Sequence, residues 1–226
     1  MRAIAVIPIE GIPEIDEGDD LAALITEAAP AFEAGDVIVV TQKVVSKAEG
    51  RVVDATDKET AIAAESRRVL RRSRSMTIAE THHGFVCANA GVDSSNIPGD
   101  RVVLLPEDPD ASARGIRSRV AHLTGIDVAV VITDTFGRAW RIGQTDVAIG
   151  VAGMDPFVDY RGTTDTHGRE LFATRICIAD EIAGAAELVM GKAEGICAAI
   201  VRGLGIERAR GAATEIVRPP ADDLFR

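Results

Sequence analysis

Asp127-Val128-Ala129-Val130-Val131-Ile132-Thr133-Asp134 is the most strongly apolar stretch of strand length in the chain. Its unbroken run of mostly β-branched residues reads as a buried strand. It carries a carboxylate to its C-terminal end, where sheet-based enzymes often hold metal ligands. Downstream lie a polar, Gly-rich stretch at 134–146, an apolar run VAIGVAG at 147–153, polar residues at 155–170, an Ala-rich helix from about Leu171 to Met190 and a late strand at 198–203. The tail, 214–226, is polar and is expected to be less ordered.

Upstream, Asp110 and Ser112 introduce a helix reaching about Thr124, and VVLLP (102–106) reads as a strand. The block 76–96 reads as a strand pair ending in a polar loop. Residues 57–73 have helical spacing and end in a basic cluster, Arg67 to Arg74, which either complements the helix dipole or binds phosphate. VIVVTQKVV (37–45) reads as a strand followed by a polar loop, Ser46 to Gly50. Asp19 and Asp20 cap a helix that runs to about Phe32, and a first strand spans 3–9. Helices and strands interleave without a regular βαβ array. The expectation is therefore a single α+β domain, 1–226, with mixed, largely antiparallel sheets and two intertwined subdomains.

The chain has 226 residues, 46% hydrophobic and 27% charged, which is a globular composition. Aromatics make up only 4%, so stacking platforms for single-stranded nucleic acid are not expected. A formal charge of -10 disfavours nucleic acid and anionic lipid as partners, and a phosphate ligand would need local cations or a metal. Cys87, Cys177 and Cys197 are odd in number, widely spaced and set in apolar runs, as buried reduced thiols are. No signal segment or run of membrane-spanning length is present in the sequence, so the expected location is cytoplasmic.

Four segments carry candidate chemistry. Asn89 to Asn96 leaves an apolar strand and brings the oxygen donors Asp93 and Asn96 close together around Gly91; a ligand-free Asx-turn has the same composition. Thr133 to Asp146 places Asp134 and the Thr135 hydroxyl, both hard ligands for Mg²⁺ or Mn²⁺, ahead of Arg138 and Arg141, which suit bidentate pairing with phosphate or carboxylate; an acidic turn bonded to its own arginines has the same composition. Asp159 to Glu170, with Arg161, His167 and Arg169, suits recognition of a charged ligand and equally suits a solvated salt-bridge loop. Gln42, Lys43 and Lys47 follow a strand, as phosphate-contacting lysines do and as ordinary exposed lysines also do. His82 and His83 lack a third metal ligand nearby. Neither GxxxxGK[ST] nor GxGxxG occurs, so this is not a P-loop or Rossmann chain.

Taken in order, EGIPEIDEGDDL (10–21), GDVIVVTQKVVSKAEGR (35–51), NAGVDSSN (89–96), LPEDPDASARGIR (105–117), VITDTFGRAWRIGQTDVAIGVAG (131–153), DYRGTTDTHGREL (159–171), ADEIAGAAELVMGK (179–192) and VRGLG (201–205) resemble the coenzyme F420-0:L-glutamate ligase family. The resemblance covers nearly the whole chain. It implies an α+β intertwined homodimer that uses GTP, two Mg²⁺ or Mn²⁺ ions and a monovalent cation such as K⁺. It implies joining of L-glutamate to F420-0, then of further γ-linked glutamates, through an acyl phosphate. Asp93 and Asp134 become metal ligands and, with Lys47, the catalytic set. Thr135 becomes a ligand of the second metal; because Lys192 stands where relatives can carry an acid, either Glu194 supplies its carboxylate or that metal is held differently. Ile12, Pro13, Glu14, Ile15, Gln42, Lys43, Lys47, Asn96, Met190, Gly191, Lys192 and Gly195 map onto nucleotide contacts. Arg138, Arg141, Arg161 and Arg169 are the candidate substrate contacts. Ala139 replaces a proline of the related GRPWR motif. The nitroreductase-like domain that follows in some relatives is not expected here. The alternatives are a related amide ligase for another carboxylate, or a binding protein for nucleotide or F420 precursor that performs no chemistry.

Overall fold

The computed structural model describes residues 3–54, 57–95, 97 and 99–224. In chain order the elements begin with β1 (Ala5–Pro8), α1 (Leu21–Ala28), β2 (Val37–Thr41), α2 (Gln42–Ala48), β3 (Val52–Asp54) and α3 (Lys58–Glu65). They continue with β4 (Ser66–Arg72), β5 (Thr77–Thr81), β6 (Val86–Ala88), β7 (Arg101–Val103), α4 (Pro109–Thr124) and β8 (Ala129–Arg138). The last are β9 (Arg141–Ala152), β10 (Val158–Asp159), β11 (Arg175–Ile176), α5 (Ile178–Met190) and β12 (Ala198–Arg202).

The main sheet has the order β1-β12-β2-β8-β9 and is antiparallel throughout except for the parallel pair β2 and β8. Its central strands are buried on both faces, which is why they read as unbroken apolar runs. Ile38, Val40, Val130 and Ile132 pack with Ile25 of α1 and Ile116 and Val120 of α4. The alternate residues Val37, Val39 and Val131 pack on the other face with Ala179, Ile182, Ala183 and Ala186 of α5. Asp110 ties these layers together. Its buried carboxylate accepts the N–H of Val151 on β9 at 2.8 Å and the N–H groups of Ala213 and Thr214 at 2.7 and 3.3 Å.

Between β2 and β8 the chain builds a smaller subdomain: the pair β3-β7, the sheet β4-β5-β6 and α3, around Ile62, Val92, Val102 and Leu104. The molecule is thus an α+β fold of two sheet-and-helix subdomains, without P-loop or Rossmann topology. The inserted subdomain leaves and rejoins the sheet beside two adjacent parallel strands. The loop that carries Asp93 and Ser95 reaches the C-terminal end of β2, where both residues contact Lys43.

Four expectations change. The strand expected at 37–45 ends at Thr41, and residues 42–48 form a helix whose buried Gln42, Val45 and Ser46 share the i, i+3, i+4 face. The helix expected at 57–73 stops at Glu65, and its basic half is strand β4, held by Arg67 and Arg68 against Glu80 of β5 at 3.4 and 2.8 Å. The helix expected from Leu171 starts at Ile178, because residues 175–176 pair with β10. The tail contains two 3₁₀ turns, Ala213–Glu215 and Pro220–Asp222, and Ala213 is fully buried.

Candidate active site

Asp134 lies on β8 beyond its parallel pairing with β2, which ends at Thr41 and Thr133. A register shift on β9 immediately precedes it: Ile132 faces Gly150, but Thr133 faces Ala148. Such a bulge bends the strand and re-aims the following side chains. Beyond it Asp134 faces Val147, and Thr135 faces Asp146.

Asp93 is presented from the inserted subdomain. Asn89, Ala90 and Gly91 all have positive φ, 52°, 52° and 76°, and turn the chain sharply out of β6. Two consecutive non-Gly residues in this region are costly and need their surroundings to hold them. Part of that support is the Asn89 side-chain oxygen, which accepts the Thr77 N–H at 3.0 Å. Asp93 is then fixed by paired backbone bonds with Val103, at 3.0 and 2.8 Å.

The Asp93 carboxylate accepts the ammonium of Lys43 at 2.8 Å and the N–H and hydroxyl of Ser95 at 2.9 and 2.6 Å. Burial works to raise its pKa, but the bonds from Lys43 and Ser95 outweigh this and hold it below the ordinary value. Asp134 behaves in the opposite way. Burial first, then the charges of Asp146 and Asp93, push its carboxyl up to about 7 despite the Thr135 N–H and Lys43.

Asp146 escapes the sequence reading because its significance depends on strand register. It is 2% exposed and accepts the hydroxyls of Thr133 and Thr135 at 3.1 and 2.7 Å. Lys192 reaches the same place, with its ammonium 2.6 Å from the Thr135 hydroxyl, 3.1 Å from Asp146 and 3.1 Å from Glu187. Burial lowers the Lys192 pKa, but Asp146 and Glu187 more than restore it, so its net shift is upward.

Other predicted residues are placed as follows. Lys47 pairs with Glu14 of the loop Ile12-Pro13-Glu14-Ile15, so α2 and that loop meet. Gln42 is buried and accepts the Ser46 hydroxyl at 3.0 Å, which directs its side chain away from solvent. Met190 is buried at the end of α5, and Gly191 and Gly195 take positive φ in the turns that follow. Glu194 is exposed and accepts the Ala193 N–H at 2.9 Å; its contacts are not with Thr135 or Asp146. Asn96 lies outside the described residues. Arg138 and Arg141 are on the exposed β8–β9 turn, where Arg138 donates to the Ile142 carbonyl. Arg161 pairs with Asp159, whose pKa it lowers to about 2, and Arg169 sits in the turn organised by Asp165. An exposed ion pair such as Arg161–Asp159 is compatible with both readings of this segment. Each ring of His82 and His83 contacts backbone carbonyls, at 2.9 Å from Ala64 and from Pro106 respectively.

Among the described residues, no group of three His, Cys, Asp or Glu side chains is arranged to hold a metal unaided. Asp93 and Asp134 nonetheless suit one. Magnesium-type ions in phosphate-transfer sites use one or two carboxylates and complete their shell with phosphate oxygens and water. Burial first, and the charges of Asp146 and Asp93 after it, disfavour the ionised Asp134 carboxylate, and a divalent ion would favour it.

Comparison with known proteins identifies the family. Residues 11–203 match the family model for F420-0:gamma-glutamyl ligase. The chain is 43% identical to the coenzyme F420:L-glutamate ligase of Methanopyrus kandleri over 253 aligned positions, covering 100% of each protein. It is 41% identical to the ligase of the same description from Methanothermobacter thermautotrophicus over 249 positions, covering 99% of each. It is also 41% identical to that of Archaeoglobus fulgidus over 242 positions, covering 99% of this chain and 96% of the relative. The chain therefore belongs to the F420-0:γ-glutamyl ligase family.

Proposed function

We propose that this chain is a GTP-dependent ligase that joins L-glutamate to coenzyme F420-0, and then adds further γ-linked glutamates. The observation that supports the reading is that Asp93, from the inserted subdomain, lies near enough to Asp134, on β8 just past its pairing with β2, for its charge to raise the Asp134 carboxyl, in a chain whose residues 11–203 match this family. A carboxylate does not condense with an amine at neutral pH, because its leaving group is poor. Transfer of the γ-phosphoryl group to the F420-0 carboxylate makes an acyl phosphate, and the glutamate amine then displaces inorganic phosphate.

Asp93 and Asp134 would hold Mg²⁺ or Mn²⁺, which supplies charge neutralisation and alignment for in-line phosphoryl transfer. Lys43 keeps Asp93 ionised and oriented. Lys47, held by Glu14 at the mouth of the loop Ile12–Ile15, is placed to balance phosphate charge. Gly191, Lys192 and Gly195 are assigned to nucleotide contacts, and K⁺ is a further cation of the reading. Arg138, Arg141, Arg161 and Arg169 are assigned to the acidic substrates. In such transfers positioning and electrostatics supply most of the acceleration. The working form is a homodimer in the cytoplasm. No helix of the described structure is long and apolar enough to cross a membrane.

The test is mass spectrometry of F420-0 incubated with the protein, GTP, Mn²⁺ and glutamate. The expected products are glutamate adducts of F420-0, GDP and phosphate. Turnover with another carboxylate but not F420-0 would favour a sister amide ligase. Nucleotide binding without GDP release would favour a binding protein. In a ligase, whichever carboxylate it takes, Asp134→Asn should abolish metal-dependent turnover.

A further inference from the structure

Thr135 and Glu194 do not fit as the ligands of a second metal. The Thr135 hydroxyl already bridges Asp146 and Lys192, while Glu194 is turned to its own backbone. The acidic group that does face Thr135 is Asp146, from β9; Glu187, from α5, accepts the Asp146 N–H, and a single ammonium contacts both carboxylates. An exposed lysine pair is ordinarily worth little, and the Lys192 side chain is 57% exposed. Its partner is a different case. Asp146 is 2% exposed and already accepts two hydroxyls, so its charge calls for a cation nearby.

The backbone is arranged to bring that cation in. Gly191 ends α5 with φ 60° and ψ -161°, a region that side-chain-bearing residues rarely enter, and this turn directs Lys192 back over the sheet. Glu187 also accepts the Asp146 N–H at 3.2 Å, which fixes the helix end to the strand. Three elements, β8, β9 and α5, thus converge on one ammonium.

We infer that Lys192 is a built-in substitute for a second divalent cation: its ammonium occupies the Thr135–Asp146–Glu187 site, so the enzyme takes up one divalent ion fewer than that site would otherwise hold. This rests on the ligase reading above and assigns to Lys192 a positioning role, keeping Thr135 and Asp146 oriented and locally neutral beside Asp134.

The test counts bound Mn²⁺ per chain, from the electron paramagnetic resonance signal of the free ion, in the full-length wild type and in Lys192→Gln. Removing the ammonium leaves two carboxylates and a hydroxyl, and the amide adds an oxygen. The expected result is one more Mn²⁺ per chain in Lys192→Gln, lost again in Lys192→Gln/Asp146→Asn. An equal count in wild type and Lys192→Gln would overturn the inference. The wild-type count judges the Asp93–Asp134 site separately: it should fall by one in Asp134→Asn, and a wild type that binds no Mn²⁺ would refute that reading without touching the increment. Lys192→Met, close in length and uncharged, serves in place of the Gln variant if that chain fails to fold. Lys192→Arg should keep the wild-type count, which a role limited to packing would not require.

Discussion

Asp134 and Asp93 are both carboxylates of one cluster, yet their environments drive them apart. Asp93 has a lysine and two Ser95 donors; Asp134 has burial and two acidic neighbours. In the metal-free chain the folded Asp134 carboxyl titrates near 7, against 3.8 for an ordinary aspartate. Between those values the native state holds a proton that the unfolded state has released, so stability falls as pH rises through this window. Asp134→Asn removes that penalty. In chelator its melting temperature should exceed that of the wild type at pH 8, with the gain shrinking towards pH 4. Added Mn²⁺ should raise the wild-type melting temperature at pH 8 and leave the variant unchanged. A variant less stable than wild type at pH 8 would contradict the assigned electrostatics. The thiols give a second check. Burial pushes Cys87 and Cys177 up to about 12 and Cys197 to about 11, which suppresses the reactive thiolate. All three should resist a disulfide-exchange reagent at pH 8 in the native chain and react together in guanidinium.

At the scale of elements, the turn Asn89–Gly91 decides where Asp93 goes, and Gly91 is its least replaceable position. A Cβ there would stand 2.6 Å from Leu105 Cγ, on a backbone of φ 76° that already disfavours a side chain. Gly91→Ala should cost roughly 1–3 kcal/mol in urea unfolding and weaken Mn²⁺ binding, because Asp93 is only two residues further on. Unchanged metal affinity would mean that the turn does not set the site. The same comparison shows what a sequence can carry. Residues 128–133 were legible because burial on both faces leaves an uninterrupted apolar run. The strand β4 was not, because arginine favours helices locally and the strand depends on Glu80 across the sheet. The short α2 was hidden behind β-branched Val44 and Val45. Asp93 and Asp134 could be picked out as candidate residues. Asp146 could not, because in sequence it is one acid in a polar run, and it gains its partners only when β9 folds back along β8.

For the whole molecule, the β8–β9 hairpin raises the question of what lies beyond one chain. Its strands continue past the sheet to a two-residue turn, Ala139-Trp140, between Arg138 and Arg141. A two-stranded ribbon standing in water is marginal on its own. This one ends in Trp140, 81% exposed and held at φ 59°, and Ile142, fully exposed. Such an arm carries apolar surface that a single copy of the chain leaves uncovered. In a two-fold dimer each arm would find the same surface on its partner, which closes the assembly with two equivalent contacts. Sedimentation velocity of the wild type should therefore give a dimer. Ile142→Asp, at an exposed position that the chain's own core does not use, should give a folded monomer with an unchanged far-ultraviolet circular dichroism spectrum. A wild type that sediments as a monomer would remove the homodimer from the proposal, and a variant that remains dimeric would move the interface away from the hairpin. Because Asp134 and Thr135 lie on the same strand as the arm, loss of the dimer should also weaken Mn²⁺ binding. That would tie assembly to the site through a single continuous element, β8.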